Sequence, residues 1–247
     1  MPEYLFRRNV VREALRGERR QLRQLWLRKG EPQAEIAPLE AAARQRGLPI
    51  RYADKQELTR LAGDNSHQGV VLEAEPFPYA SLEEILGLAA QREERPLLLL
   101  LDLVQGPQNV GMLLRTAEAC GVHGVVMQER RAPDVTPHVA AFAAGATEHL
   151  LIARETNLVQ AMQWLKQRNV WIVGLDTGPD AHLLGNLNLN MSLALVVGHE
   201  GEGLRRLVRE KCDFILQLPM RGQLESLNAA VSGSIALYAA WQARGFG

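Results

Sequence analysis

The residues Leu218-Pro-Met-Arg-Gly-Gln-Leu-Glu-Ser-Leu-Asn-Ala-Ala-Val-Ser-Gly-Ser-Ile-Ala-Leu-Tyr-Ala-Ala240 decide how the rest of the chain is interpreted. They start at the end of a predicted strand, pass through a Pro/Gly loop and enter a helix whose first turn should carry Ser226 and Asn228. Pro219 has no backbone N–H and Gly222 tolerates positive φ, so we expect an abrupt exit from the sheet that frees backbone amides for a ligand. The small residues of the helix predict close packing against another element.

Two earlier stretches have the same layout. Leu97-Leu-Leu-Leu-Leu-Asp-Leu-Val-Gln-Gly-Pro-Gln-Asn-Val-Gly-Met-Leu-Leu-Arg-Thr-Ala-Glu-Ala-Cys-Gly121 predicts a buried strand, a Gly-Pro turn and a helix. Leu193-Ala-Leu-Val-Val-Gly-His-Glu-Gly-Glu-Gly-Leu204 predicts a strand, a glycine loop and a helix start. Because polar residues beyond parallel strands meet at one edge of a sheet, the three stretches should converge on one site.

The glycine loop Gly198–Gly203 is not a dinucleotide-binding loop. Its spacing is G-x-x-G-x-G rather than G-x-G-x-x-G. Glu200 and Glu202 would also place negative charge beside a pyrophosphate. Both observations exclude a Rossmann dehydrogenase.

Alternating helices and strands predict an α/β protein. The uninterrupted apolar strands at 97–101 and 193–197 indicate burial on both faces, and therefore a mostly parallel sheet covered by helices. We expect a small α/β domain over 1–76, a linker and helix over 77–95, and a larger domain over 96–247. Predicted strands lie at 22–28, 48–52, 68–75, 97–101, 124–127, 149–152, 170–175, 193–197 and 214–218. Predicted helices lie at 9–16, 34–46, 54–63, 81–91, 110–120, 136–144, 157–168 and 203–211, before the closing helix.

Charge and composition limit the class of protein. The formal net charge is +0, yet residues 1–30 contain nine basic groups and three acidic ones, which indicates a basic end. Cys120 and Cys212 lack metal-ligand spacing and predict reduced core thiols, with no metal site. No apolar run is long enough for a membrane span and no signal peptide is visible, so we expect a soluble cytoplasmic protein.

The three stretches resemble motifs 1, 2 and 3 of the SpoU/TrmH family of RNA ribose 2′-O-methyltransferases, part of the SPOUT superfamily. The resemblance covers residues 97 to 240, and the preceding residues are similar to the substrate-binding domain of the RlmB-like branch. It implies a deep trefoil knot in the C-terminal part and a ribosomal-protein-like RNA-binding fold in the N-terminal domain. It also implies a homodimer that methylates a guanosine of large-subunit ribosomal RNA.

The resemblance further implies S-adenosyl-L-methionine as the cofactor and a set of site residues. Gly198, Leu218 and Leu227 would contact the cofactor, largely through main-chain groups. The polar motif positions, which would serve catalysis, are Asn109, Arg115, Glu200, Ser226 and Asn228. Glu200 would accept hydrogen bonds from Arg115 and orient it. The family proposal makes Arg115 the base, assisted by the substrate phosphate. Because a guanidinium keeps its proton, we instead expect Arg115 to position the RNA and stabilise an alkoxide, with the base left open.

Several site residues have a plainer interpretation. Leu218 and Leu227, taken without their place in the motif, would be assigned to core packing. Arg115 could pair with Glu118 or another acid, and Ser226 or Asn228 could simply cap a helix. His199 beside Glu200 is not required by the motif. Motif 1 also departs from the family at Gln105-Gly106, where an acidic residue commonly precedes the proline; the Gly106-Pro107 turn itself is kept.

Two rival functions remain. One is the same reaction on a transfer RNA or on another ribosomal RNA site, and the other is a binding module that has lost catalysis. Retention of all five polar motif residues argues against the binding module.

Overall fold

The computed structural model describes residues 1–130, 132–224 and 226–246, with no account of the Gln33 side chain. Residues 1–78 and 135–149 form one compact unit, and residues 79–134 and 150–247 form a second. The predicted division into 1–76, 77–95 and 96–247 stays a prediction. Residues 135–149 group with the first 78 residues, although local sequence patterns assigned them to the larger domain.

The helices and strands alternate through both units. The strands are β1 Glu3–Phe6, β2 Leu22–Arg28, β3 Ile50–Ala53, β4 Val70–Ala74, β5 Leu97–Leu101, β6 Gly124–Gln128, β7 Ile152–Glu155, β8 Trp171–Leu175, β9 Ala181–Leu183, β10 Leu193–Val197 and β11 Phe214–Gln217. The helices are α1 Arg8–Arg16, α2 Gln33–Gln45, α3 Lys55–Ala62, α4 Leu82–Gln91, α5 Pro107–Ala119, α6 Pro137–Phe142, α7 Leu158–Lys166, α8 Arg206–Glu210 and α9 Ala229–Ala243.

The first unit is built on a four-stranded sheet in the order β1-β4-β2-β3. β2 and β3 are parallel, whereas β4 runs antiparallel to both β1 and β2. The sequence did not predict β1, which is only four residues long. Asp54 caps α3 by accepting from the Glu57 amide, and Gly63 ends the helix in the left-handed region at φ 65°.

A buried ion pair fixes the segment 135–149 within the first unit. The Arg20 guanidinium is 2.7 Å from a Glu3 carboxylate oxygen and 3.4 Å from one of Glu148. Arg20 and Glu148 are both almost fully buried. Next to them, His149 Nε2 lies 3.0 Å from a Glu13 carboxylate oxygen. These contacts explain why the predicted strand at 149–152 is wrong: residues up to His149 belong to the first unit, and β7 begins only at Ile152.

The basic end of the chain is largely neutralised by its own unit. Among the described residues, six of the nine basic groups in 1–30 form ion pairs with carboxylates. These pairs are Arg8 with Glu31 and Glu35, Arg12 with Glu13, Arg16 with Glu13, Arg20 with Glu3 and Glu148, Arg23 with Glu73 and Glu75, and Arg28 with Glu31. The excess of basic residues therefore overstates the charge that this end offers to a ligand.

The second unit contains a seven-stranded sheet in the order β7-β6-β5-β10-β8-β11-β9. Each of its pairings is parallel, which confirms the predicted parallel sheet. All ten residues of β5 and β10, the central pair, are buried. β9 has three residues with no alternation and was not predicted. The trefoil knot stays a prediction, because strand order alone does not define the threading.

The small residues of α9 pack against α5, as the sequence predicted. A Cβ added to Gly233 would lie 2.6 Å from the Leu113 side chain and 2.9 Å from that of Val197, so the contact requires glycine. The Thr116 and Ser234 hydroxyls lie 2.9 Å apart across the same contact. None of the helices in the described residues has both the length and the apolar character of a membrane span.

Candidate active site

Three loops at the carboxyl edge of the parallel sheet meet at a cavity of about 410 Å³. The loop after β10 contributes Gly198 and Glu200, and the chain after β11 contributes Leu218, Ser226 and Leu227. All three predicted cofactor contacts therefore line one cavity within the second unit. The volume falls in the range of about 300–1,000 Å³ that is typical of small-molecule sites.

The glycine loop is closed on itself. His199 and Gly203 exchange two backbone hydrogen bonds of 3.0 Å each. Gly201 and Gly203 occupy the left-handed region, at φ 93° and 69°. A Cβ on Gly198 would lie 2.4 Å from the Gly203 carbonyl, so the two arms of the loop can approach only because residue 198 is glycine.

A ring of three polar side chains, which we call the polar ring, links all three motif stretches. Asn109 Nδ2 donates to Glu200 Oε2 at 2.7 Å, and Asn228 Nδ2 donates to Glu200 Oε1 at 2.7 Å. Asn228 Nδ2 also donates to Asn109 Oδ1 at 3.1 Å. Both oxygens of the carboxylate that lines the cavity are thus held by amide donors, which fixes the orientation of Glu200.

Asn228 is both a helix cap and a member of the polar ring. Its side-chain oxygen accepts from the Ala230 and Val231 amides at 2.9 and 3.2 Å. The helix therefore begins at Ala229, and the prediction that its first turn carries Ser226 and Asn228 is wrong: Asn228 is the N-cap, and Ser226 lies in the preceding loop, at the cavity. The cap explains the local fold, because it turns the amide nitrogen of Asn228 toward Glu200.

Arg115 is exposed and has no hydrogen bond or ion pair with the rest of the described chain. The prediction that Arg115 contacts Glu200 is therefore wrong, and Arg115 does not pair with Glu118 either. Six residues along a helix are about one and two-thirds turns, so Arg115 and Asn109 leave α5 in directions roughly 120° apart. When Asn109 faces Glu200, Arg115 cannot. The Gly106-Pro107 start of α5 is confirmed, with Gly106 as the N-cap.

The structure adds cavity residues that sequence reasoning missed. Asp176 and Thr177, which follow β8, form another part of the wall. Met220 and Ser232 also contribute, as does His199. The signal for Asp176 was weak, because Asp-Thr-Gly-Pro after a buried strand looks like an ordinary turn. Only the placement of β8 beside β10 in the parallel sheet brings this turn to the cavity.

The helix after the glycine loop is shorter than predicted. Residues 203–211 were expected to be helical, but α8 covers only Arg206–Glu210. Arg205 has extended backbone, at φ −60° and ψ 145°, and both its amide and its side chain bind the carboxylate of Asp102. This contact holds the start of the segment out of the helix.

The chemistry of the wall favours a cationic ligand. Asp176, Glu200 and Glu202 all line the cavity, so a ligand rich in phosphate would meet negative charge. A sulfonium compound with an amino group meets no such repulsion. Within the described residues there is no group of three or more His, Cys, Asp or Glu side chains arranged to hold a metal ion.

Neither cysteine supplies a nucleophile. Cys120 is buried, and burial raises the pKa of its thiol. Burial raises the pKa of Cys212 to about 12. Because only the thiolate reacts, both side chains serve the core.

Comparison with known proteins gives the same class over nearly the whole chain. Residues 96–238 match the SpoU rRNA Methylase family, and residues 4–80 match the family described as RNA 2′-O ribose methyltransferase substrate binding. YacO of Bacillus subtilis, assigned to the TrmH family of tRNA/rRNA methyltransferases, is 37% identical over 242 residues, which are 98% of this chain and 96% of the relative. A relative with the same family assignment from Staphylococcus aureus is 35% identical over 237 residues, 96% of this chain and 94% of its own.

Solved structures are similar over the same length. The SpoU methyltransferase AviRb from Streptomyces viridochromogenes, in complex with the cofactor AdoMet, superposes with a TM-score of 0.81, covering 100% of this chain and 92% of that one at 23% identity. An RNA 2′-O ribose methyltransferase superposes with a TM-score of 0.80 at 27% identity, covering 98% and 89%. The protein is an α/β methyltransferase by fold and by site. It belongs to the SpoU/TrmH family of RNA 2′-O-ribose methyltransferases. The RlmB-like branch stays a prediction.

Proposed function

We propose that this protein transfers a methyl group from S-adenosylmethionine to the ribose 2′-hydroxyl of a guanosine in large-subunit ribosomal RNA. The polar ring supports this proposal most strongly, because it joins Asn109, Glu200 and Asn228 from the three motif stretches beside one cavity. A binding module that had lost catalysis would have no need of this arrangement. The reaction is placed in the cytoplasm, because ribosomal RNA is the substrate.

The cavity is suited to the cofactor by shape and by charge. Gly198, Leu218 and Leu227 would hold it, and the acidic wall favours its positive charge. When bound, S-adenosylmethionine supplies an electrophilic methyl group. Both oxygens of Glu200 accept hydrogen bonds from amide groups, so its carboxylate holds Asn109 and Asn228 in place beside the cavity.

Arg115 is the residue we assign to the RNA. A ribose hydroxyl is weakly acidic, so negative charge on its oxygen must be stabilised as the proton leaves. An exposed guanidinium with no partner in the described chain keeps its donors available for a phosphate or an alkoxide. A guanidinium is a poor base, so the role of Arg115 is to position and stabilise.

The choice of ribosomal RNA follows the family descriptions. The catalytic family is described as an rRNA methylase, and a substrate-binding family covers residues 4–80. The relatives are named for both tRNA and rRNA, so methylation of a transfer RNA is the second candidate.

We also propose that the protein is a homodimer in which α9 contacts the partner. The inner side of α9 packs on α5, yet its outer side exposes Val231, Ile235 and Tyr238. These residues recur at i, i+4 and i+7 and therefore form one apolar stripe. Met112 of α5 is exposed as well. The replacement Ile235→Glu should convert a dimer to a monomer in sedimentation equilibrium; a wild-type monomer at micromolar concentration would contradict the proposal.

Methyl transfer identifies the substrate directly. Labelled S-adenosylmethionine is incubated with total RNA from bacteria that lack their own ribose methyltransferases, and the product is mapped by its resistance to alkali. We expect one protected guanosine in large-subunit RNA. The Glu200→Gln variant should lose the label, because its amide would turn a donor toward the donors of Asn109 or Asn228. Label in transfer RNA would overturn the substrate and keep the reaction, whereas no label with a protein that binds the cofactor would overturn the reaction itself.

A further inference from the structure

The short helix α8 touches two of the loops that shape the cavity, through arginines placed four residues apart. Arg205 is the N-cap of α8, and Arg209 lies four residues later within the helix. We propose that α8 is a brace for the cofactor cavity, in which Asp102 and Arg209 are positioning residues that set cofactor affinity. The inference rests on the proposed function, because it takes the cavity to hold S-adenosylmethionine.

Asp102 secures both ends of the glycine loop. Its amide donates to the Val197 carbonyl at 2.8 Å, immediately before the loop begins. Its carboxylate accepts from the Arg205 amide at 2.9 Å and from Arg205 Nε at 2.6 Å, immediately after the loop ends. Asp102 is fully buried, whereas its partner is partly exposed. A single buried residue thus fixes the distance between the entrance and the exit of the loop.

Arg209 secures the wall after β8. Its guanidinium contacts a carboxylate oxygen of Asp176 at 3.5 Å, and donates to the Thr177 carbonyl at 3.3 Å and to Asp180 Oδ1 at 2.5 Å. Gly178 makes room for it: a Cβ there would lie 2.6 Å from Arg209 Nη2. Three contacts from one side chain hold this turn in a single shape.

Asp102 and Arg209 hold residues that line the cavity, but they do not line it themselves. The glycine loop and the Asp176–Thr177 turn form much of the wall, while Asp102 and Arg209 lie behind it. If either contact is removed, the loops sample other conformations, and binding must order them again. We therefore expect weaker binding of the cofactor and a nearly unchanged rate of the chemical step.

The test compares Arg209→Met with Arg206→Met. Arg206 lies on the same helix, but among the described residues it pairs with exposed Glu210 and contacts neither loop, so it is a matched control. Binding of S-adenosylmethionine and of S-adenosylhomocysteine is measured by calorimetry. We expect the Arg209→Met variant to bind both on the order of tenfold more weakly, with KM for the cofactor rising in parallel and kcat at saturation within about twofold. Arg209→Lys, which keeps one ion pair, should recover part of the affinity.

Asp102→Asn tests the other end of the brace without any ligand. In this variant, hydrogen exchange should be faster at the Gly203 amide, which is hydrogen-bonded within the glycine loop. The affinity of the variant for the cofactor should fall as in Arg209→Met. Unchanged affinity in Arg209→Met, or an equal loss in Arg206→Met, would overturn the brace while the wild-type protein still binds the cofactor. A wild-type protein that binds no cofactor would instead overturn the proposed function, and the brace with it.

Discussion

The first thirty residues and the helix α5 use their arginines in opposite ways. In the first thirty residues, most arginines are bound by carboxylates of their own unit, and one of them, Arg20, is buried. In α5, Arg115 is exposed and has no partner in the described chain. The basic end has more charge by count, but most of that charge is paired with carboxylates, whereas the charge of Arg115 is not. Availability, rather than number, decides which basic residues can act on RNA.

Removing Arg20, the buried arginine, should have the largest effect on stability. Arg20→Ala leaves Glu148 buried without its cation, so we expect the free energy of unfolding to fall by about 3–5 kcal/mol. Denaturant titration followed by circular dichroism measures it. The double variant Arg20→Met with Glu148→Leu removes both charges and should recover much of the loss. A single variant as stable as the wild type would show that the pair does not hold segment 135–149.

Removing Arg115, the exposed arginine, should reduce methyl transfer without reducing stability. Because the side chain is exposed and unpaired, Arg115→Ala should leave the melting temperature unchanged. Methyl transfer should fall on the order of 10²–10³-fold, the loss typical of one electrostatic stabiliser. Cofactor affinity, measured by calorimetry, should stay within about twofold. An active Arg115→Ala variant would remove Arg115 from the mechanism.

Each unit also contains a buried histidine with a lowered pKa, and the two histidines should respond differently to acid. Burial lowers the pKa of His67 and of His123 below that of an unfolded chain. Both therefore contribute stability that is complete above pH 6.5 and is lost as the pH falls from 6.5 through the lower pKa of the folded state. His123 Nε2 lies 2.9 Å from a carboxylate oxygen of Glu94, whose negative charge stabilises the protonated imidazole. His67 Nε2 faces the hydroxyl of Thr59 at 3.3 Å.

Because Glu94 stabilises the charged form of His123, acid should destabilise the protein less through His123 than through His67. Unfolding free energies measured from pH 7.5 to pH 5 should show a shallower decline for His67→Gln than for the wild type. The corresponding change for His123→Gln should be smaller. Equal pH dependence in all three proteins would contradict this ordering.

The smallest effect is expected at the surface of the basic end. Arg16 is mostly exposed and pairs with Glu13 three residues earlier on α1. Arg16→Ala should change the free energy of unfolding by less than about 1 kcal/mol, because water and salt screen such a pair. A loss as large as that of Arg20→Ala would show that the ion pairs of this unit act as one network.

Sequence reasoning succeeded where a local pattern determines the structure. The apolar runs of β5 and β10 indicated buried parallel strands, and the motif residues Gly198, Leu218 and Leu227 line one cavity, as their order in the chain suggested. It failed where the determining contact is distant. Nothing near residues 135–149 shows that they pack with the first 78 residues, and nothing near Asp176 shows that β8 lies beside β10.

The polar ring illustrates the same limit at the scale of side chains. All five polar motif residues were named from the sequence, but the partner of Glu200 was not. The motif gives residue types and spacing, whereas the partner depends on rotation about the α5 axis and on the cap of α9. Propensity does not determine either of these.

The position of β10 in the sheet has a consequence for synthesis. β5 is a run of five leucines, and its central neighbour β10 is made only after more than ninety further residues. Until then one side of β5 remains unpaired, with apolar side chains on both faces, which is the kind of edge that promotes aggregation. Late, non-local pairing of this kind is slow. The nascent chain should therefore need protection by a chaperone until residue 197 has left the ribosome, and fragments that end before β10 should accumulate as insoluble protein.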